Sequence, residues 1–280
     1  MSKNRILSNG VEMPSIGMGT DRMDRKTLRG VLLSGVLYGF RSIDTARDYG
    51  NNETLIGKTL NLIQKKNGLK RKDLFITTKI GNSQQIIGNI KEQIDISLKR
   101  LRTDYLDLWL MHWPYPDYYI ETWHKMEDVY RSGKVRAVGV CNFQERHLNA
   151  LIGSGISIMP MVMQVEYHPL RTIKPMIALC ERHSIQVEAY SPLCLMNKHL
   201  IESEILKSLA NKYRKTIPQI ILRWDIQQGV IPVFKSASPQ RLKENIDIYD
   251  FSLTSEEMER IFSMNEDYKF HPESINCPGY

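Results

Sequence analysis

The sequence predicts an α/β protein of the (β/α)8 TIM-type barrel class, with an N-terminal β-hairpin and extra helices. Three observations carry this. Eight short β-rich runs alternate with longer helical patterns. Several runs are apolar throughout, as strands of a parallel sheet covered on its outer side require. No Pro/Gly/Ser stretch is long enough to divide the 280 residues, and barrels of this class commonly reach about 250 residues as one domain. Residues 1–280 are therefore expected to form a single domain.

The elements follow in order. In ILSNGVEMPSIGMG, Asn9-Gly10 lies between apolar residues, and this dipeptide suits the positive φ angles of a tight hairpin turn. Strands are expected at 15–19, 40–44, 74–79, 105–112, 135–141, 161–166, 185–190 and 230–234. Helical spacing of apolar residues marks 24–37, 52–65, 118–131, 143–151, 173–183 and 240–246, with two further helices at 202–213 and 218–228 before the last strand. Ile87, Ile90, Ile94, Leu98 and Leu101 read as one helical face, with Lys91, Glu92, Lys99 and Arg100 on the other.

Composition narrows the function classes. Hydrophobic residues make up 42% and charged residues 25%, which gives a normal core and argues against disorder. No apolar run approaches the roughly 18 residues of a bilayer span, and MSKNRILSNG lacks a signal peptide's apolar stretch. A soluble, cytoplasmic protein without a membrane partner is expected. Cys141, Cys180, Cys194 and Cys277 are widely spaced, which favours reduced thiols over a disulfide framework. The net charge is +7, but the basic residues are scattered and the densest run, KKNGLKRK at 65–72, reads as a solvated turn. No nucleic-acid motif accompanies them.

The active site of such a barrel lies at the C-terminal ends of its strands. FRSIDTARDYGN places Asp44 and Tyr49 after the second strand, FITTKI ends the third with Lys79, and LWLMHWP ends the fourth with His112. Singly, each has an ordinary structural explanation: a helix cap, loop packing, a solvated strand end, a satisfied buried histidine. Together they can protonate an oxygen as negative charge develops on it. Free tyrosine titrates near pH ~10, a nearby ammonium stabilises its phenolate, and an aspartate can hold that ammonium. This suits carbonyl reduction. No nucleophilic thiol or serine and no metal-ligand cluster stands beside them, so hydrolytic readings are weaker and no metal is expected. Gly17-Met18-Gly19 lacks the third glycine of GxGxxG, so a Rossmann site is rejected.

The stretches GFRSIDTARDYGN, TTKI, DYLDLWLMHWP, KVRAVGVCNF, MQVEYHP, VEAYSPL, VIPVFKSASPQRLKENIDIYDF and NCPGY resemble the aldo-keto reductase superfamily over nearly the whole chain, in that family's order. The resemblance implies an NADPH-dependent barrel, with NADH as a second possibility, that reduces aldehydes or ketones to alcohols. Small aldehydes, 2-oxoaldehydes, diketones and a biosynthetic carbonyl compound are the substrate classes it suggests. It implies Tyr49 as general acid with its pKa lowered by Lys79, Asp44 paired to Lys79, and His112 orienting the carbonyl. Asn142 and Gln164 would bind the nicotinamide carboxamide, Tyr190 would stack on its ring, and Ser191 and Leu193 would meet the pyrophosphate. Lys235, Ser236, Ser238, Arg241, Glu244 and Asn245 would surround the adenosine. Thr20 and Asp44 complete the expected cofactor contacts, and Trp113 forms a wall of the substrate pocket. Lys235 and Arg241 offer charge-assisted hydrogen bonds to a 2′-phosphate. A monomer or weak dimer is expected.

Three departures from the family pattern stand out. The loop after Tyr49, GNNETLIG, is one residue longer; Cys141 replaces the usual serine before Asn142; and Asp21, Arg22 and Met23 follow Thr20 where an aromatic residue is common. The alternative reading is a cofactor-binding regulatory or structural barrel with little turnover, against which the intact tetrad argues. A third reading, a steroid double-bond reductase, is weakened because that subgroup carries glutamate where this chain has His112.

Overall fold

The computed structural model describes residues 4–271. All eight expected strands form: β3 (Gly17–Gly19), β4 (Ser42–Asp44), β5 (Phe75–Ile80), β6 (Leu108–Met111), β7 (Val138–Cys141), β8 (Val162–Glu166), β9 (Gln186–Tyr190) and β10 (Ile231–Phe234). They pair in parallel, in sequence order, and β10 closes on β3. Most are shorter than the apolar runs that announce them, because the run continues into the buried loop at either end of the strand.

Ahead of them, β1 (Asn4–Ile6) and β2 (Glu12–Pro14) form the expected antiparallel hairpin, with Gly10 at φ +83° in its turn. It floors the barrel. Asn9 donates to the Arg136 carbonyl below β7 at 2.9 Å, Arg5 donates to the Ile226 carbonyl at 2.6 Å, and Leu7 and Met13 are buried.

The helices are α1 (Arg25–Tyr38), α2 (Asn52–Asn67), α3 (Asn82–Ile87), α4 (Ile90–Leu101), α5 (Tyr119–Arg131), α6 (Glu145–Gly153), α7 (Lys174–Arg182), α8 (Lys198–Glu202), α9 (Glu204–Tyr213), α10 (Ile217–Gln227), α11 (Pro239–Asn245) and α12 (Ser255–Phe262). One expectation is corrected here. Ile87 does not share the α4 face: Gly88, at φ +75°, ends α3, and Ile87 is 65% exposed. Ile90, Ile94, Leu98 and Leu101 are buried as expected, each contributing about 1.5–3 kcal/mol of apolar transfer. Helices α3, α8 and α12 are additions to the predicted set; α8 takes only Glu202 from the segment read as one helix from 202, and Ser203 caps α9.

Register determines what faces inward. Paired residues of neighbouring strands share a face of the sheet, and alternate residues along a strand share it too. Gly17 pairs with Ser42, Asp44 with Thr77, Lys79 with Leu110, Cys141 with Gln164, Gln164 with Glu188, and Tyr190 with Val233. One inward-facing set thus runs round the barrel, apolar toward the floor and polar toward the C-terminal rim.

Candidate active site

The rim collects the expected residues in one place. Asp44 ends β4, Lys79 lies one residue from the end of β5, His112 follows β6, Asn142 follows β7 and Tyr190 ends β9. At the centre, the Lys79 ammonium donates to both oxygens of Asp44, at 2.6 and 2.8 Å, and to the Thr45 carbonyl at 3.1 Å. Lys79 is fully buried and Asp44 nearly so. Burial alone would discharge the amine, but the Asp44 carboxylate outweighs it and keeps Lys79 charged.

Tyr49 stands over this pair. The Lys79 Nζ lies 5.2 Å from the centre of its ring, and His112 meets the ring edge-on at 5.8 Å. The net effect on the phenol differs from the expectation. Burial raises its pKa, and Lys79 opposes without overcoming it, because the ammonium is already neutralised by Asp44 at hydrogen-bond distance. Tyr49 is therefore a protonated phenol at neutral pH, a donor rather than a base. Burial, the largest effect, and Lys79 lower the pKa of His112, while Asp48 raises it; the net direction is down.

The loop after Tyr49 is braced locally. Gly50, at φ +61°, turns the chain so that Asn52 starts α2 and donates to the Thr20 carbonyl at 2.7 Å. Thr20 in turn donates through its hydroxyl to the Asp44 carbonyl at 2.8 Å. Glu53, next in α2, accepts from Thr78 of β5 at 2.8 Å. The Asp44-to-Tyr49 segment is thereby tied to both neighbouring strands.

The amides are engaged within the protein. Asn142, at φ +62°, donates to the His112 carbonyl at 3.1 Å and accepts from the Tyr190 hydroxyl at 2.7 Å. Gln164 donates through one nitrogen to Asp44 at 2.9 Å and to Glu188 at 2.6 Å. Cys141 lies between them, with its Sγ 3.5 Å from the Gln164 oxygen and 3.2 Å from the Asn142 nitrogen. Burial, the dominant effect, raises its pKa, so it is a thiol. Trp113 is buried beside His112, ring centres 6.2 Å apart, with its carbonyl accepting from Gln85 at 3.0 Å.

Beyond β9 the backbone takes a left-handed course at Ser191 and again at Cys194, Leu195 and Met196, which shapes the loop carrying Leu193. After β10, Lys235 is exposed and Ser236 is buried; Ser238 caps α11, on which Arg241 is exposed, Glu244 half-buried and Asn245 buried. These residues form a separate patch along the rim rather than part of the central cluster.

Four residues at this rim escaped the sequence reading. Glu188 shares the inward face with Tyr190, two residues on, and strand alternation was the available signal. Asp48 faces His112 at 3.4 Å but gives no sequence signal beyond its place next to Tyr49. Glu166 accepts from the backbone N–H groups of Phe270 and His271, at 2.5 and 2.9 Å, and from His168 at 3.1 Å. That clasp sets His271 against Ser191, 3.1 Å away, and edge-on to Tyr190. The NCPGY motif and Cys277 lie outside the described residues; Cys141, Cys180 and Cys194 are buried free thiols. Among the described residues no cluster of three His, Cys, Asp or Glu side chains is arranged to hold a metal, and no helix is long and apolar enough to cross a membrane.

Residues 13–266 match the Aldo/keto reductase family. The chain is 42% identical to the glyoxal reductase of Bacillus subtilis (strain 168) over 267 residues, covering 95% of this chain and 94% of that one. It is 36% identical to the methylglyoxal reductase DkgA of Escherichia coli (strain K12) over 275 residues, covering 98% and 97%. Among solved structures it resembles a Bombyx mori aldo-keto reductase in complex with NADP, with a TM-score of 0.91 at 33% identity, covering 97% and 95% of the two chains. An aldo/keto reductase from Brucella melitensis gives a TM-score of 0.86 at 37% identity, covering 94% and 99%. With the barrel, the rim and the match over most of its length in agreement, the chain belongs to the aldo/keto reductase family of NAD(P)H-dependent oxidoreductases.

Proposed function

We propose that this chain reduces small aldehydes, 2-oxoaldehydes and diketones to alcohols with NADPH, and that Tyr49 delivers the proton. The observation that carries the reading is the buried Lys79–Asp44 pair beneath the Tyr49 ring with His112 at its edge. The dinucleotide, when bound, supplies the hydride. Tyr49 enters protonated, held so by burial, and gives up its proton as charge develops on the carbonyl oxygen. The phenolate left behind faces a permanently charged Lys79, which Asp44 fixes in place. His112 borders the same space and orients the carbonyl, with Trp113 closing one side.

The cofactor residues have matching chemistry. Tyr190 offers a ring for the nicotinamide, Asn142 offers an amide that exchanges internal hydrogen bonds for those of the carboxamide, and Gln164 offers an amide that keeps its bonds to Asp44 and Glu188. Thr20 and Asp44, buried and hydrogen-bonded to each other, would contact the cofactor, and Ser191 and Leu193 would meet its pyrophosphate. Lys235 and Arg241 are exposed cations flanking Ser236 and Ser238, with Glu244 and Asn245 on the same helix, and they favour the 2′-phosphate of NADPH over NADH. The glyoxal and methylglyoxal reductases among the relatives support the substrate class.

Following NADPH oxidation with a panel of aldehydes, 2-oxoaldehydes and diketones tests the reading. Turnover is expected for the wild type and a loss of at least about 100-fold for Tyr49→Phe, with NADPH binding retained. Tight NADPH binding without turnover on any carbonyl would overturn it in favour of a cofactor-binding role.

A further inference from the structure

We propose that Glu188 is a positioning residue for this reduction, fixing Asp44, and through it the Lys79–Tyr49 pair, by way of Gln164. The inference rests on the reductase reading above and adds to it a residue outside the expected tetrad and cofactor set.

The geometry is a buried chain of contacts. Glu188 is fully buried on the inward face of β9, Cα-paired with Gln164 of β8. One Gln164 nitrogen donates to Glu188 at 2.6 Å and to Asp44 at 2.9 Å, and Asp44 holds Lys79 with both oxygens. The Gln164 oxygen faces Cys141 of β7, so the amide is fixed at both ends. The second Glu188 oxygen has no hydrogen-bond partner among the described residues. The ionisable groups facing Glu188 are Asp44 of β4, Lys79 of β5 and Cys141 of β7; from β10 its paired neighbour is the apolar Ile231.

Charge counting then assigns the proton. Two carboxyl groups share one amide and one cation, and the cation is committed to Asp44. A second anion at Glu188 would be buried without a counter-ion, which is costly in a low-dielectric interior. Glu188 is therefore the neutral acid at neutral pH. In agreement, burial and then the Asp44 carboxylate push it up to about 8, against the Gln164 hydrogen bond and Lys79. In this form it anchors Gln164 without cancelling the field of Lys79 at Tyr49. Once ionised, it adds a negative charge beside Lys79 and disfavours phenolate formation, so proton delivery slows as pH rises through that range.

The test compares the intact protein with Glu188→Gln and Glu188→Leu. Infrared difference spectra of the wild type should show a protonated carboxyl band that disappears as pH is raised through about 8 and is absent from Glu188→Gln. The kcat for carbonyl reduction should fall through the same range in the wild type and show no such fall in Glu188→Gln. Glu188→Leu, which cuts the link to Gln164, should lower kcat about tenfold with KM changed less than about twofold, and Glu188→Gln should restore it. A wild type lacking the titrating band, or a Glu188→Gln variant with the wild-type alkaline limb, overturns the proposal. Absence of carbonyl turnover in the wild type overturns the reductase reading itself, a result separable from either.

Discussion

The carboxylate of Asp48 occupies the space that a side chain at Gly81 would need. A Cβ built on Gly81 would fall well inside van der Waals contact of both Asp48 oxygens, although Gly81 has an ordinary φ of −88°. The missing side chain lets the loop after β4 press against the end of β5 and leaves Asp48 3.4 Å from His112 Nδ1. Which ring nitrogen of a neutral His112 carries the proton depends on this contact.

Replacing Asp48 with Asn should therefore lower the pKa of His112 further, since Asp48 is the neighbour that raises it most. It should also shift the neutral ring toward the Nε2-protonated form, because an amide can donate as well as accept. Imidazole 15N chemical shifts measured across pH report both. Gly81→Ala should move His112 in the same direction by displacing the carboxylate. An unchanged His112 titration in both variants would show that the contact carries no energy.

The clasp at Glu166 leads to a prediction about the chain's last described residues. Burial raises the Glu166 pKa, but His168 and the backbone N–H groups of Phe270 and His271 together bring it below the usual carboxylate value. The clasp is thus complete above the ordinary carboxylate pKa and is lost as pH falls through the lowered one. Glu166→Gln keeps the shape but removes the charge, and charge-assisted hydrogen bonds are about twice as strong as neutral ones. Hydrogen exchange at the His271 amide is expected to speed up about tenfold or more in this variant at pH 7, a loss of at least about 1.4 kcal/mol of local protection. Unchanged exchange there would show that the tail is held elsewhere.

Much of the scaffold was legible because its signals are local. YLDLWLMHW and VRAVGV are apolar across both strand faces, which only a covered parallel sheet explains. Asp44, Lys79 and His112 were readable because each closes such a run. Signals that depend on one residue were weaker. Gly88 divides α3 from α4 inside a pattern whose apolar spacing continues unbroken, so the spacing alone assigns Ile87 to the core. Helix α12 carries only a two-residue start signal, Thr254 and Glu257 in a reciprocal cap. The balance of effects on Tyr49 needed the depth of the site, which spacing does not encode. The Asp48–His112 and Glu166–tail contacts join residues 64 and 104–105 positions apart, and no short pattern announces either.

Below the rim, Asp107 concentrates charge at the floor. It is fully buried and accepts from Arg71 at 2.7 Å, from Arg136 at 2.7 Å and from the Ile76 backbone at 2.9 Å. Asp107→Ala takes the counter-ion from Arg71, which keeps its hydrogen bonds to Thr103, Leu74 and Tyr105, and leaves the Ile76 N–H without this acceptor; removing one partner of a buried pair costs about 3–5 kcal/mol. Arg136 is 42% exposed and can rehydrate, which argues for the lower end, about 3 kcal/mol. Chemical denaturation should show this loss, with kcat of the surviving folded protein within about twofold, since the floor is remote from the reacting groups. A loss below about 1 kcal/mol would show that the cluster is compensated by its surroundings.

Asp225 supplies the opposite case, a buried acid that weakens the fold. It is fully buried in α10, and neither carboxyl oxygen has a partner among the described residues. Burial raises its pKa well above the ordinary value, so the folded chain keeps this proton where the unfolded chain, titrating near pH ~3.9, has released it. The folded state then binds more protons than the unfolded state, and stability falls as pH rises above the unfolded value until the folded carboxyl ionises. Asp225→Asn removes the titration while keeping the shape. The variant should be more stable than the wild type at pH 8, by at least about 1 kcal/mol, and the advantage should shrink toward pH 4. Urea unfolding of both proteins at the two pH values measures it. A constant difference between the two pH values would mean that Asp225 finds a counter-charge or a proton acceptor in the folded chain.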